Sequence, residues 1–417
     1  MSKTRFTLWA CASGWLIFSS LAIAAPPTST TPVKKTRQYT IEQFMATTAL
    51  GGASFSADEK RILFHSNESG IYNAYTLAVT GGKSDALTKS ITDTTYAVSY
   101  FPNDDRILYT RDKSGDENNH LYVRELDGSE KDLTPGDKLK ASFAGWRPDG
   151  SAFFVSSNER DPKVFDIYRY DAKSYNRTLF YKNEQAFAIG AISRDEKWVA
   201  LNKTNTSLDG DIYLYDVAKA ETKLLTPHTG AVNFSAATFD PASKRLFLLT
   251  NEGSEFASVR TYDLATAVMK DHEKADWDVV STYFSRDGRY RVTAVNQDGS
   301  VVIRIVEGAD EKPVKLPTLP GGEIRGVTFS KTGARMAFYL NGDRSPNNLY
   351  VYDFKSKQAK ALTHSLSKEI DAKDLVEAQV VRFKSFDGMV IPSIKGTMPL
   401  CAPARQGGDH ARYSVWY

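Results

Sequence analysis

The tightest constraint on this chain is a unit of about 45 residues that recurs seven times in phase. Each copy opens on an aromatic residue or Ile, followed by a short turn rich in Asp, Gly, Ser and Lys. The anchors are Phe55, Phe101, Trp146, Ile192, Phe239, Phe284 and Phe329, spaced by 46, 45, 46, 47, 45 and 45 residues. An apolar strand comes next, as in Arg61–Phe64 and Arg106–Tyr109. A second strand then alternates apolar and polar positions: Ile71–Leu77, Leu121–Leu126, Ile167–Asp171, Ile212–Asp216, Val259–Asp263, Val302–Val306 and Leu349–Asp353. Several copies close on Leu-Thr, at 87–88, 133–134, 225–226 and 362–363.

A period near 45 with about four strands per copy is the pattern of a propeller blade. One four-stranded sheet cannot bury both of its faces alone, so neighbouring copies must stack around an axis. The fold expected is all-β, a seven-bladed β-propeller with four-stranded blades over residues 49–366. Aromatic residues make up 12% of the chain, which suits packing on pleated surfaces. A β-sandwich would require the spacing to be coincidence.

The ends depart from the repeat. Lys3 and Arg5 precede a run of apolar and small residues from Leu8 to Ala24, and Ala22-Ile23-Ala24 supplies the small-x-small pattern of a signal cleavage site. Residues 1–24 are therefore read as a signal peptide cut between Ala24 and Ala25, giving a periplasmic or secreted protein. A spanning anchor is the rival reading, but the apolar run is barely long enough to cross a bilayer, and Pro26 and Pro27 sit where cleavage would occur. Residues 25–48 form a linker and a short helix, the latter opened by a capping box at Thr40–Gln43. Residues 367–394 are a charged segment and then Val380–Phe386, an alternating strand closed by Asp387-Gly388. Residues 395–417 show no strand or helix period.

Removing the signal leaves 51 basic against 50 acidic residues, a net charge of +1. No concentrated basic face is available, so neither nucleic acid nor an anionic membrane surface is expected as a partner. Cys11 and Cys401 both lie outside the repeat, so packing rather than disulfides must hold the blades.

Two stretches carry a family likeness. Arg111–Tyr122 contains Asp-Lys-Ser-Gly-Asp-Glu-Asn, similar to a stretch in the second blade of bacterial prolyl oligopeptidase-type serine peptidases, of the acylaminoacyl- and dipeptidyl-peptidase-like branch. Val381–Pro392 resembles the strand pair at which that family's α/β-hydrolase domain begins. The resemblance covers roughly residues 39–394. It implies a propeller that restricts access of oligopeptides to a hydrolase domain carrying the catalytic Ser, Asp and His. That domain needs a Ser on a Gly-x-Ser-x-Gly elbow and backbone N–H groups for the oxyanion. Neither Gly-x-Ser-x-Gly nor His-Gly-Gly occurs in the sequence. Residues 367–394 are accordingly read as the start of a truncated α/β-hydrolase domain, and 395–417 as an aberrant tail following a frameshift or truncation. No catalytic residue is assigned, and the chain alone is expected to be inactive.

Asp116 and Glu117 are the candidate substrate-binding pair. Two acids on a loop at the propeller mouth could hold a peptide's terminal ammonium. The competing reading makes Asp116 or Asn118 a turn cap and pairs Glu117 with an Arg such as Arg111. His65, His120, His228, His272, His364 and His410 share no metal-ligand spacing, so neither a metal nor another cofactor is expected. Tyr and Asp positions that recur in nearly every copy are packing rather than a site. A periplasmic binding or scaffold propeller is the alternative function, but it leaves Val380–Pro392 without a role. A propeller enclosing its own carboxylate pair is a third, indistinguishable from turn acids present in every copy.

Overall fold

The computed structural model describes residues 37–396. They contain seven four-stranded antiparallel sheets, each built from one contiguous segment whose strands lie side by side in sequence order. Blade 1 sets the pattern with strands Leu50–Phe55, Arg61–Ser66, Asn73–Ala78 and Asp85–Ala86. The first strands of the other six are Thr95–Tyr100, Ala141–Trp146, Ala188–Ile192, Phe234–Phe239, Asp278–Phe284 and Glu323–Phe329. These first strands are innermost and line the axis. Each repeat anchor is the last residue of its inner strand or, for Phe101, the next one.

The recurring polar residues each perform one local task. In the Leu-Thr pairs the threonine hydroxyl accepts a backbone N–H from the start of the third strand: Ala74 to Thr88, Leu121 to Thr134 and Ile212 to Thr226, each at 2.9 Å, and Leu349 to Thr363 at 2.8 Å. The Asp ending the third strand caps the next turn. Asp171 accepts from the N–H groups of Lys173 and Ser174, and Asp216, Asp263 and Asp353 repeat the pattern. Four residues later the backbone turns left-handed, at Tyr175, Ala220, Ala267 and Lys357. Satisfying these N–H groups lets the turn close without leaving donors unpaired.

Seven apolar clusters each straddle one pair of neighbouring blades. No strand is shared between blades 1 and 7, so side chains close the ring. Leu50, Phe64 and Tyr75 of blade 1 pack with Tyr339, Leu349 and Val351 of blade 7 in a cluster of eleven buried residues. At roughly 1.5–3 kcal/mol per fully buried large apolar side chain, this outweighs a strand's few hydrogen bonds at about 1 kcal/mol each. The seam between blades 5 and 6 has only four buried apolar residues, Phe247, Val259, Val279 and Val295. It adds Arg291, buried and bonded to Glu273 at 2.7 Å, Glu311 at 2.9 Å and Thr293 at 2.7 Å.

Before the ring, Thr40 and Gln43 form the expected capping box on the helix Ile41–Met45. After it, the charged stretch holds one 3-10 turn, Ala372–Asp374, tied to the entry segment by Tyr39 Oη donating to Asp374 at 2.7 Å. The strands Ala378–Lys384 and Val390–Gly396 then pair across Asp387-Gly388. The cleavage site at Ala24 and Ala25, both cysteines, His410 and nearly all of the tail lie outside the described residues. No helix among the described residues is long and apolar enough to cross a membrane.

Candidate functional site

Turns in an antiparallel blade alternate between its ends. Every turn between the first and second strands therefore lies on one face of the ring, and every turn between the second and third strands on the other. The first set is stiffened by a repeated device: the hydroxyls of Ser56, Ser193 and Ser285 donate to Asp58, Asp195 and Asp287 at 2.6, 2.7 and 2.6 Å. The residue between Ser and Asp projects toward the axis. In blades 4 and 6 it is Arg194 and Arg286, and in blade 7 the equivalent residue is Lys331.

These three cations tie turns of non-adjacent blades together. Arg194 donates to the carbonyls of Arg286 at 2.9 Å and Ser285 at 2.8 Å. Arg286 reaches the carbonyls of Arg147 and Pro148 in blade 3, both at 3.2 Å. Lys331 reaches Pro102 O at 3.3 Å and Asn103 Oδ1 at 3.1 Å in blade 2. Asn103 and Thr332 add links to blades 3 and 1. At Gly150 there is no room for a side chain: a Cβ there would meet Asn103 at 2.9 Å and Arg286 at 3.1 Å. The axis is thus floored on this face. Burial, reinforced by the neighbouring Arg194 charge, draws the Arg286 guanidinium down to about 10, so it stays charged at neutral pH.

Above the floor lies a cavity of about 320 Å³, walled by residues that include Ser54, Ser99, Trp146, Tyr283 and Val327. Trp146 Nε1 donates to Ser99 Oγ at 2.9 Å, and Tyr283 Oη to Val327 O at 2.9 Å. A second cavity of about 440 Å³ opens between the inner strands of blades 3 and 4, against Phe143, Phe165, Phe187 and Ile189. The result is a cup with polar and aromatic walls.

The opposite face is the rim, where the strand pair sits. Arg382 bonds Asp298 of blade 6 at 2.5 Å, and Ala378 N donates to Asp343 of blade 7 at 2.7 Å. The Asp116–Glu117 loop belongs to this rim. Asp116 accepts from the N–H groups of Lys113 at 3.2 Å and Asn118 at 3.0 Å. Its carboxyl lies below the usual range, chiefly through the Asn118 bond. Glu117 is exposed at a left-handed position, φ 60°, and its carboxylate has no partner among the described residues. Arg111, the residue expected to pair with it, instead bonds Glu130 at 3.1 Å. The Arg111 side chain runs over the Tyr109 and Tyr122 rings on the face of the blade to reach Glu130, whereas Glu117 stands on the loop tip.

On the same rim, His65 sits between the rings of Tyr72 and Tyr96, with centroids at 5.4 and 5.2 Å. Gly51 makes this possible, since a Cβ there would lie 2.4 Å from the His65 ring. Burial drops the imidazole to about 4. Three other histidines have carboxylate neighbours: His120 bonds Asp132 at 2.7 Å, His272 bonds Glu311 at 2.9 Å, and His228 lies against Asp209 and Asp211. No group of three or more His, Cys, Asp or Glu among the described residues could hold a metal ion. Sequence reasoning overlooked the floor. Its signal was present, in the Arg, Arg and Lys at one register of three turns.

Fold and site together define a seven-bladed β-propeller floored at one end, with its entering and leaving chain at the other. The chain belongs to the prolyl oligopeptidase family: the model of the prolyl oligopeptidase N-terminal β-propeller domain matches residues 83–365. Dipeptidyl aminopeptidase BIII of Pseudoxanthomonas mexicana is 28% identical over 325 residues, 75% of this chain and 46% of that protein. Among solved structures, a prolyl endopeptidase superposes with TM-score 0.65 at 16% identity, covering 85% of this chain and 55% of its own. Apo prolyl oligopeptidase B of Galerina marginata gives 0.62 at 14% identity, covering 84% and 56%. The chain spans about half the length of these relatives.

Proposed function

We propose that this chain is the substrate-selecting propeller of an exported serine peptidase that hydrolyses oligopeptides. The supporting observation is the floored axis: with Arg194, Arg286 and Lys331 crossing it, a peptide reaches the cup only from the rim or through a seam. A narrow cup admits an extended peptide and excludes a folded domain. In this reading the strand pair at 378–396 is the first part of an α/β-hydrolase domain, and the nucleophile, oxyanion donors and base belong to that domain. Asp116 and Glu117 stand at the rim as contacts for the substrate, with Glu117 the freer of the two. Export follows from residues 1–24.

The test uses the purified chain. Short oligopeptides should bind it while an intact folded protein containing the same segment does not, and a fluorophosphonate probe should label no serine. Failure of every oligopeptide to bind would overturn the reading. Mass spectrometry of the exported chain should find Ala25 as the first residue, and an uncut amino terminus would remove the export part alone.

A further inference from the structure

The cations that floor the axis are not neutralised there. Arg194, Arg286 and Lys331 meet carbonyl and amide oxygens, and none of them forms an ion pair among the described residues. The carboxylates whose charge reaches the two guanidiniums are Asp287, Asp240 and Asp149. Each is already held: Asp287 by the Ser285 hydroxyl at 2.6 Å, Asp149 by the Ser151 hydroxyl at 2.7 Å, and Asp240 by the Arg245 side chain at 3.1 Å. Burial draws both guanidiniums below the usual arginine range. Carbonyl dipoles spread a positive charge without cancelling it, so a half-buried cation that lacks a counter-anion is costly. Cations perturbed in this way concentrate where a ligand answers them.

The cavity above the floor has the matching character. Arg286 and Lys331 both line it, and no Asp or Glu does among the described residues. Arg286 gives only Nη2 to the blade 3 carbonyls. Its Nε and Nη1 make no hydrogen bond among the described residues, and neither atom is buried. Lys331 uses two of its three N–H groups. Thr328, on the same wall, has a hydroxyl without a partner among the described residues. Spare donors on a guanidinium, an ammonium and a hydroxyl thus belong to residues around one space of about 320 Å³. A neutral ligand would occupy those donors and leave the charges standing. An oxyanion answers both.

We propose that the floor end of the cup is an oxyanion site, built on Arg286 and Lys331 with Thr328 beside them, and filled by the carboxyl terminus of a peptide entering from the rim. The peptide part rests on the function proposed above, whereas the anion part rests on the charges alone. A free oxyanion such as phosphate offers the same chemistry, and the experiment separates the two sources.

Calorimetric titration of the full chain with N-acetyl-penta-alanine, its carboxyl-terminal amide and inorganic phosphate, on wild type and Lys331→Gln, is the test. Glutamine keeps a donor for the Pro102 carbonyl and removes the charge. Wild type should bind the free acid at least about tenfold tighter than the amide, the worth of one charge-assisted hydrogen bond. Phosphate should compete with the acid and not with the amide, and Lys331→Gln should shrink the ratio of acid to amide. Equal loss of acid and amide in Lys331→Gln would assign Lys331 to the fold, and the inference fails. Equal binding of acid and amide to wild type overturns it without recourse to any variant, and leaves the peptide reading standing. Phosphate binding that depends on Lys331, with no peptide bound, keeps the oxyanion site and removes the peptide reading. Absence of binding by all three overturns both.

Discussion

The two faces of this ring are built on opposite principles. The floor is cross-linked: turns from blades 2, 3, 4, 6 and 7 exchange hydrogen bonds across the axis, with guanidinium or ammonium donors meeting carbonyl or amide oxygens. The rim is left unfinished. It holds the unpaired Glu117, a neutral, partly buried His65, and the strand pair with Phe386, Met389 and Val390 exposed. Each charged donor on the floor has a backbone acceptor. The difference teaches that one end of a propeller can be fixed as a base while the other is kept free for contacts.

Acid should break this contrast most visibly. The folded His65 ring remains neutral down to about 4, while in the unfolded chain it takes a proton near 6.5. Its folded value is depressed, so the unfolded state binds more protons between these values. Stability is therefore unaffected above about 6.5 and falls as pH drops toward 4, by about 3 kcal/mol from this residue alone. Denaturation midpoints measured from pH 7 to 4 should show the fall, and His65→Gln should flatten it. Hydrogen exchange at pH 4.5 should rise first in Ile62–Ser66 and last in the floor turn at Ser56.

A smaller effect is expected at the floor. Arg286→Ala removes two bonds to blade 3 and orphans the carbonyls of Arg147 and Pro148, while Arg194 still holds the carbonyls of residues 285 and 286. The loss should be about 2 kcal/mol by denaturant unfolding, within the range for charge-assisted hydrogen bonds. Recovery of full stability by Arg286→Lys would show that charge rather than the two-pronged geometry holds the turns. The smallest effect belongs to the rim. Glu117→Gln should change stability by less than about 0.5 kcal/mol, as for exposed surface positions. A large loss there would mean that the loop is cross-linked like the floor.

Most of the architecture was legible because each blade repeats its chemistry. Phe55, Trp146 and Phe284 mark the ends of inner strands, and Thr134 or Asp216 can be read as a turn device in any copy once seen in one. The strand pair closed by Asp387-Gly388 was legible from alternation and turn type. What resisted reading was contact across the axis, because Arg194 and Arg286 lie 92 residues apart and no local rule joins them. The expected Glu117–Arg111 pairing failed for a related reason: proximity in sequence said less than the blade face, across which Arg111 passes over Tyr109 and Tyr122 to Glu130.

The closing seam between blades 1 and 7 has a mechanical consequence. Every blade is one continuous stretch, so the ring from Leu50 to Ala361 is a ribbon bent until its ends touch. Tension applied along the ribbon meets the continuous chain at six seams, but only non-covalent contact at the seventh, with ties such as Tyr339 to Gly52, Thr332 to Glu59 and Thr48 to Ser365. Under load the circle should spring open there before any sheet unravels, like a clasp on a bracelet.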